Sequence, residues 1–364
     1  MQDAALKEIP DGYQKKFIHI DMDSFFVSVE LLDAPHLRSC PVAVGGTAAE
    51  RGVISTANYI ARQYGVKSGI ATATAYRLCP ELVLLPVRFE AYEAVTRKLD
   101  SIFRRYTDKI EFLSLDEASL DVSGQTQFNG SATYMAAHIR KAIEQELHLT
   151  ASAGVAPLKY LAKIASEVNK PDGMFVIRPP EVKEFLAELD IRKIPGVGPK
   201  TYSVLENLGC SRCGDVTEDK IPSLMRNLGV HGFYVWERCQ GVEEKEEKES
   251  DVKSLGVEKT LPIDCNDFPS CSKELFDLLK NLENRLPEIN DNSFIVKNLV
   301  KLKFSDFSTS SAEAPATRIC QDTVISLCRT LWDTKRKGRP VRLIGLSIKV
   351  KRKANDSQQM ELPW

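Results

Sequence analysis

The stretch Phe17-Ile18-His19-Ile20-Asp21-Met22-Asp23-Ser24-Phe25-Phe26 decides how the rest of the chain is read. Its first half is a short apolar run with β-branched residues, bounded by charge, which is the pattern of a buried strand. Two aspartates stand where that strand should end, and a buried strand rarely carries carboxylates to its tip unless positive charge meets them. A second acidic pair, Asp116-Glu117, closes another apolar run, Phe112-Leu113-Ser114-Leu115. If the two strands are neighbours, three or four carboxylates converge. Like charges at that spacing repel, and the economical counter-charge is a divalent cation. Ligands that are all oxygen favour Mg²⁺ or Mn²⁺ over zinc.

Working outward, the spacing of Phe89, Tyr92, Val95, Leu99, Ile102, Phe103 and Tyr106 predicts a helix over 89–106 with its aromatics in the core. Strands are expected at 110–115 and 118–122, a helix at 132–147 and a strand at 151–156. The order strand, helix, strand, strand, helix, strand is that of a split βαβ, or ferredoxin-like, unit. The first strand and the first strand of the hairpin are expected side by side, which makes Asp21 and Asp116 neighbours. Before the long helix, a helical pattern at 27–32 and strand patterns at 42–46 and 53–56 form a small insertion. A short helix over 58–65 carries Tyr59, Arg62 and Tyr64. A helix at 157–168 leads into Asn169-Lys170-Pro171-Asp172-Gly173, a strong turn signal.

From residue 179 to about 239 the pattern changes to short helices. Within them, Ile194-Pro195-Gly196-Val197-Gly198-Pro199-Lys200 reads as the hairpin of a helix–hairpin–helix, with a plain interhelical turn as the alternative. The backbone at Gly196 and Gly198 can face a phosphate, with Lys200 beside it. Residues 243–251 are nearly all Glu and Lys, an exposed linker. Beyond them lies a unit of mixed α+β pattern, with strands near 255–260, 296–304 and 341–350 and helices at 272–286 and 319–334. Lys297, Lys301 and Lys303 alternate along one strand and so project from one face.

A chain of 364 residues implies two or three domains. The net charge of −1 says nothing of partners, but its distribution does. From Lys297 to Lys353 there are 14 Lys and Arg against 4 Asp and Glu, the footprint of a polyanion-binding surface. Nine scattered cysteines form no disulfide framework, and Cys210-Ser-Arg-Cys213 has no second pair at zinc spacing. No signal peptide opens the chain, and no apolar run approaches the roughly 18 residues of a membrane span. The expectation is a cytoplasmic protein with no membrane partner.

Carboxylates sharing cations suit in-line phosphoryl transfer, and a nearby basic cluster of Tyr59, Arg62 and Lys170 would hold a triphosphate or a phosphate backbone. Asp-x-Asp after a strand also fits a covalent phospho-aspartate mechanism. A non-catalytic DNA-binding scaffold would likewise keep the basic regions.

At this point the residues match a known family. The chain from Phe17 to Trp364 closely resembles the bacterial DNA polymerase IV family of Y-family translesion polymerases. The resemblance rests on His19-Ile-Asp-Met-Asp-Ser-Phe-Phe26, Gly52-Val-Ile-Ser-Thr-Ala-Asn-Tyr59, Ser114-Leu-Asp-Glu117, Ser152-Ala-Gly-Val-Ala156, Lys163-Ile-Ala-Ser166 and Ile194-Pro-Gly-Val-Gly198. It implies an α+β multidomain fold: a ferredoxin-like palm (17–26 and 86–178), small fingers (27–85), a helical thumb with the helix–hairpin–helix (179–242) and an α+β little finger (252–353). The arm would be 1–16 and the linker 243–251. It implies Asp21, Asp116 and Glu117 as catalytic metal carboxylates, with the carbonyl of Met22 as a further ligand, for two Mg²⁺ ions replaceable by Mn²⁺. Tyr59, Arg62 and Lys170 match its triphosphate contacts, Phe25 and Phe26 its nucleotide side, and Phe26 its steric gate against ribose. DNA would be held at Gly196, Gly198, Lys200, Lys297, Lys301 and Lys303.

The expected activity is low-fidelity, template-directed DNA synthesis past damaged bases by a monomer using primer-template DNA and deoxynucleoside triphosphates. Once palm, hairpin module and basic domain are assigned, no segment remains for a proofreading exonuclease. Residues 354–364 end in Gln359-Met-Glu-Leu-Pro-Trp364, which returns hydrophobes to a polar tail. The hexapeptide resembles the motif that docks bacterial polymerases on the ring-shaped sliding clamp, with Gln359, Leu362 and Trp364 as its contacts.

Overall fold

The opening stretch forms the central strand β1 (Phe17–Met22) of a five-stranded sheet. A computed structural model of the chain describes residues 12–243, 252–289 and 292–352. Helix α1 (Phe25–Asp33) leaves β1 directly, and a small insertion follows: β2 (Val42–Gly45), β3 (Ile54–Ala57), α2 (Tyr59–Gln63), α3 (Thr72–Leu78) and β4 (Val83–Leu85). The chain then returns through α4 (Phe89–Phe103), β5 (Ile110–Phe112), β6 (Glu117–Asp121), α5 (Ala132–Leu147), β7 (Ala151–Ala156), α6 (Lys159–Ser166) and β8 (Met174–Val176). The main sheet has the order β5-β6-β1-β7-β8, a ferredoxin-like unit extended by one strand, and β3-β2-β4 form a separate small sheet.

One expectation is corrected here. The neighbour of β1 is β6, the second strand of the hairpin, not the first. A helix about 10 Å wide crosses roughly two strand spacings, so the β1–α4–β5 crossover leaves one lane open. Strand β6 turns back into that lane and pairs antiparallel with β1, with Asp21 opposite Glu117. Asp116 lies in the turn before β6, where its carbonyl accepts the Met22 N–H at 3.0 Å.

Ile18, Ile20 and Met22 point into a core shared with α4 and α5, where Tyr92, Leu99, Met135, Ile139 and Ile143 are buried. Fully burying each such side chain contributes about 1.5–3 kcal/mol. On the other face α6 lies close against β7. The approach is possible because residue 154 is glycine: a Cβ there would stand 1.9 Å from the Ala162 carbonyl oxygen and 2.4 Å from the Ser166 nitrogen. Helix α4 ends three residues sooner than its periodicity suggested, and Phe89, expected in the core, is 58% exposed.

Short helices follow: α7 (Val182–Glu188), α8 (Pro199–Asn207), α9 (Ile221–Leu228) and α10 (Val230–Cys239). Their core continues from α6, through Leu161 and Ala165 to Leu186, Leu205, Leu224 and Val235. The last segment is β9 (Ser254–Cys265), α11 (Phe268–Asn284), β10 (Ser293–Phe304), β11 (Thr309–Pro315), α12 (Gln321–Thr334) and β12 (Val341–Arg352). Its sheet has the order β11-β10-β12-β9 and is covered on one face by the two helices. The described residues fall into two compact units: those up to Gly45, Ile54–Ile70 and those from Thr74 to 243 in one, and Gly46–Val53, Ala71–Ala73 and those from 252 onward in the other. Among the described residues, no helix is long and apolar enough to cross a membrane.

Candidate active site

Residues two apart on a strand share a face, so His19 and Asp21 project together from β1, and the cross-strand partner of Asp21 brings Glu117 to the same side. Ligand atoms of these three residues lie within 4.8 Å of one another, the only such His, Cys, Asp or Glu group among the described residues. His19 is fully buried, and its Nε2 stands 3.3 Å from Glu117 Oε2. Asp116 flanks the group from the preceding turn, where the Ser114 hydroxyl donates to its carboxylate at 2.6 Å.

Two lysines supply the positive charge. Lys163 on α6 reaches both oxygens of Glu117, at 2.8 and 2.9 Å. Lys170, in the turn after α6, lies 2.6 Å from both Asp21 and Glu167. The spacing 163, 167, 170 places all three side chains over one helical face and its exit.

Burial raises the Asp21 carboxyl to about 7 against the pull of Lys170, with help from the charges of Glu167 and Asp116. The His19 ring beside it, with Lys163, holds Glu117 down at about 2 although burial opposes this. Burial lowers His19, which keeps the imidazole neutral at pH 7. For Lys170, burial acts against its charge but is outweighed by Asp21 and Glu167, which raise it. A half-buried carboxyl that titrates near neutrality, with ammonium groups crowded against its neighbours, is a place shaped for concentrated positive charge. The carboxylates of Asp21, Asp116 and Glu117 fit a divalent cation, with the His19 ring turned to Glu117 beside them.

Asp23 takes no part in that face. It is 3% exposed. Its Oδ1 accepts the Ser152 hydroxyl at 2.9 Å, its Oδ2 accepts the Asp172 N–H at 2.8 Å, and the Tyr59 hydroxyl lies 3.4 Å away. Burial, and then the charge of Asp23, push the Tyr59 phenol up to about 12. The Arg62 guanidinium lies 4.6 Å from the Tyr59 ring, and its Nε donates to the Ala57 carbonyl.

Phe25 and Phe26 part company. The Phe25 ring is in the core at 2% exposure. The Phe26 ring is half-buried and stacks on Tyr92, with centroids 4.1 Å apart and planes at 8°, and meets Phe89 edge-on. Tyr92 is itself fixed, since its hydroxyl donates to Glu30 at 2.8 Å and Glu30 pairs with Arg88.

In the hairpin, Gly196 has φ +89°, a conformation that favours glycine. Gly198 is the N-cap of α8 and Pro199 its first residue, so the exposed Lys200 lies in the first turn of the helix. Lys297, Lys301 and Lys303 share the open face of β10, as alternation requires. Lys297 is paired with Glu313, which also lies 3.0 Å from Lys349, and Lys301 is paired with Glu258. Gln359, Leu362 and Trp364 lie outside the described residues.

His19, Lys163, Glu167 and Tyr92 were not named from sequence as site residues. His19 and Lys163 stand inside the stretches that carry the family resemblance. The period-2 link from His19 to Asp21 and the helical spacing of 163, 167 and 170 were the signals available.

The model of the impB/mucB/samB family matches residues 20–167, that of the family's C-terminal domain residues 252–362, and the IMS family HHH motif residues 179–209. DNA polymerase IV of Pectobacterium atrosepticum is 47% identical over 335 residues, covering 92% of this chain and 95% of that protein. The protein of the same name from Serratia proteamaculans is 47% identical over 352 residues, covering 96% and 99%. Among solved structures, a Y-family DNA polymerase chimera, Dbh-Dpo4(243-245)-Dbh, superposes with a TM-score of 0.82 at 30% identity, over 92% of this chain and 98% of that one. An insertion ternary complex of Dbh DNA polymerase gives 0.63 at 30% identity, over 93% and 99%.

Asp21 yields a measurable linkage. A carboxyl whose folded pKa is raised to about 7 favours the folded, metal-free protein at low pH, and that contribution is lost as pH rises through 7. A cation requires the carboxylate, so binding must expel the proton. Calorimetric titration of the metal-free protein with Mn²⁺ at pH 7, in buffers of different ionisation enthalpy, should show release of about half a proton, falling toward zero above pH 8. Asp21→Asn should show none of it. Equal release by both proteins would remove Asp21 as the titrating group.

Proposed function

This chain belongs to the impB/mucB/samB family and is a DNA-directed DNA polymerase of the Y-family translesion type, and from that premise we propose how its residues perform the reaction. The reading is nucleotidyl transfer assisted by two Mg²⁺ ions at Asp21, Asp116, Glu117 and the Met22 carbonyl, without proofreading. The observation that carries it is the register pairing of Asp21 with Glu117, with Asp116 in the adjoining turn. When bound, the ions supply the Lewis acidity that readies the primer hydroxyl and offsets charge on the leaving pyrophosphate.

The side chains do the rest. Lys170, held between Asp21 and Glu167, would offer its ammonium to a phosphate oxygen, with Arg62 and Tyr59 as the further contacts for the triphosphate. The Phe26 ring, braced by Tyr92, stands where a ribose 2′-hydroxyl would intrude. Backbone N–H groups around Gly196, Gly198 and Lys200 suit a DNA phosphate, and Lys297, Lys301 and Lys303 suit a second stretch of backbone. In this reading the palm is 17–26 and 86–178, the fingers 27–85, the thumb 179–242 and the little finger 252–353. The fingers are too short to form a large lid over the nascent pair, which favours tolerance of damaged templates. The chain would act as a cytoplasmic monomer, tethered to the sliding clamp through Gln359, Leu362 and Trp364.

Three measurements test this reading. Asp116→Ala should lower nucleotide incorporation roughly thousandfold while leaving primer-template affinity nearly intact, because the carboxylate serves charge that develops during transfer and affinity comes from phosphate contacts elsewhere. Substantial extension by this variant in Mg²⁺ would sink the assignment. Phe26→Ala should raise the ratio of ribonucleotide to deoxynucleotide incorporation on the order of tenfold or more, and an unchanged ratio would return the ring to a packing role. Removal of Gln359 to Trp364 should leave single-nucleotide incorporation on bare DNA unchanged and erase stimulation by loaded clamp. Product lengthening equal to that of the intact chain would dismiss the tail as the docking peptide.

A further inference from the structure

Phe307, at the turn between β10 and β11, is 61% exposed and holds φ +65°. A bulky side chain in the left-handed region is uncommon and persists where its surroundings enforce it. Here they do. Asp306 Oδ1 accepts the Ser308 N–H at 3.0 Å and the Ser308 hydroxyl at 2.6 Å. Arg339 donates to Asp306 at 2.8 Å and to the Ser308 hydroxyl, and its guanidinium lies 4.3 Å from the buried Phe304 ring. The Phe307 N–H closes onto the Phe304 carbonyl at 2.9 Å, and the Ser305 N–H onto the Pro340 carbonyl at 2.9 Å. The turn is thus a rigid mount that holds one aromatic ring out toward solvent.

Two cations are placed at that ring. Lys303 Nζ is 5.1 Å and Arg342 Cζ 4.7 Å from its centroid. Arg342 gets there through a register shift: Lys303 pairs with Leu343 and Phe304 with Val341, which leaves Arg342 as an extra residue whose side chain is re-aimed. Among the described residues neither Lys303 nor Arg342 is paired with a carboxylate, whereas Lys297, Lys301 and Lys349 on the same sheet all are. The one acid at the turn, Asp306, is already matched by Arg339. In sequence, the adjoining Lys335-Arg336-Lys337 adds charge of the same sign.

An exposed ring with two cations lying over it that no carboxylate holds has the chemistry of single-stranded nucleic acid: the cations turn from the ring to the phosphates, and the face they leave takes a base. A duplex backbone would use the cations alone, because its bases are already stacked on one another. We propose that the β10–β11 turn is a stacking subsite for an unpaired nucleobase of a DNA strand, with Phe307 as platform and Lys303 and Arg342 as phosphate contacts. It rests on the polymerase reading above and adds to it a contact specific to unpaired template.

The test is binding of a short labelled oligothymidylate, and separately of a blunt duplex, to the full chain at one fixed salt concentration. Phe307→Ala and Phe307→Leu should each weaken oligothymidylate binding roughly tenfold and leave duplex affinity unchanged, since Leu keeps apolar area but has no π-face. Phe307→Trp should retain binding, with indole fluorescence quenched as the base stacks. Unchanged oligothymidylate affinity in the Ala and Leu variants overturns the subsite, as does an equal loss for both DNAs, which would mark a general backbone contact. Primer extension by the wild-type chain in the same buffer judges the polymerase reading separately.

Discussion

Everything at the site depends on one cross-strand pair. With β6 in the lane beside β1, Asp21 and Glu117 must face each other across a single strand spacing, and the buried surroundings give them little water. Such an arrangement holds together only with positive charge between or beside the carboxylates. In this chain the charge arrives from one helix and its exit, as Lys163 on Glu117 and Lys170 on Asp21. The two carboxyls respond in opposite directions. Glu117 is held ionised by its neighbours, while Asp21, more deeply desolvated, is raised to about 7. One group keeps a standing negative charge, and the other gains its charge as a cation arrives.

Much of this was legible beforehand, for reasons that can be traced to particular residues. Helix α5 and strand β7 were read to their ends because Ser131 caps the helix and Met135, Ile139, Ile143 and Leu147 keep its period without interruption. The acidic pairs announced the site because apolar runs do not end in carboxylates by chance. What failed was pairing. Alternation along a strand says which residues share a face but not which strand lies next door, so Asp21 was set against Asp116 when the register gives it Glu117. Short or weakly apolar elements also escaped. β4 has three residues, and β11 is an edge strand of Thr, Ser, Ala and Glu with no large apolar side chain to show its period.

Asp23 shows a different limit of sequence reading. Its charge suggested the metal face, yet its hydrogen bonds run to Ser152, to the Asp172 N–H and toward Tyr59. It joins the end of β1 to β7, to the turn that carries Lys170, and to α2. The basic β10 face carries a comparable lesson. Lysines that look like a bare patch in sequence are interleaved with Glu258 and Glu313 once the strands pair, so the count of positive charges overstates the field that the face presents.

The closeness of α6 to β7 reaches further than packing. Lys163 and, through the helix exit, Lys170 stand at their carboxylates only because the helix backbone rests directly on residue 154, where no side chain intervenes. The distance between the site's acids and its bases is therefore set by a missing methyl group. A single carbon added there, itself uncharged and touching no ionisable group, would lift the helix and widen the spacing of opposite charges, so its first symptom would be electrostatic.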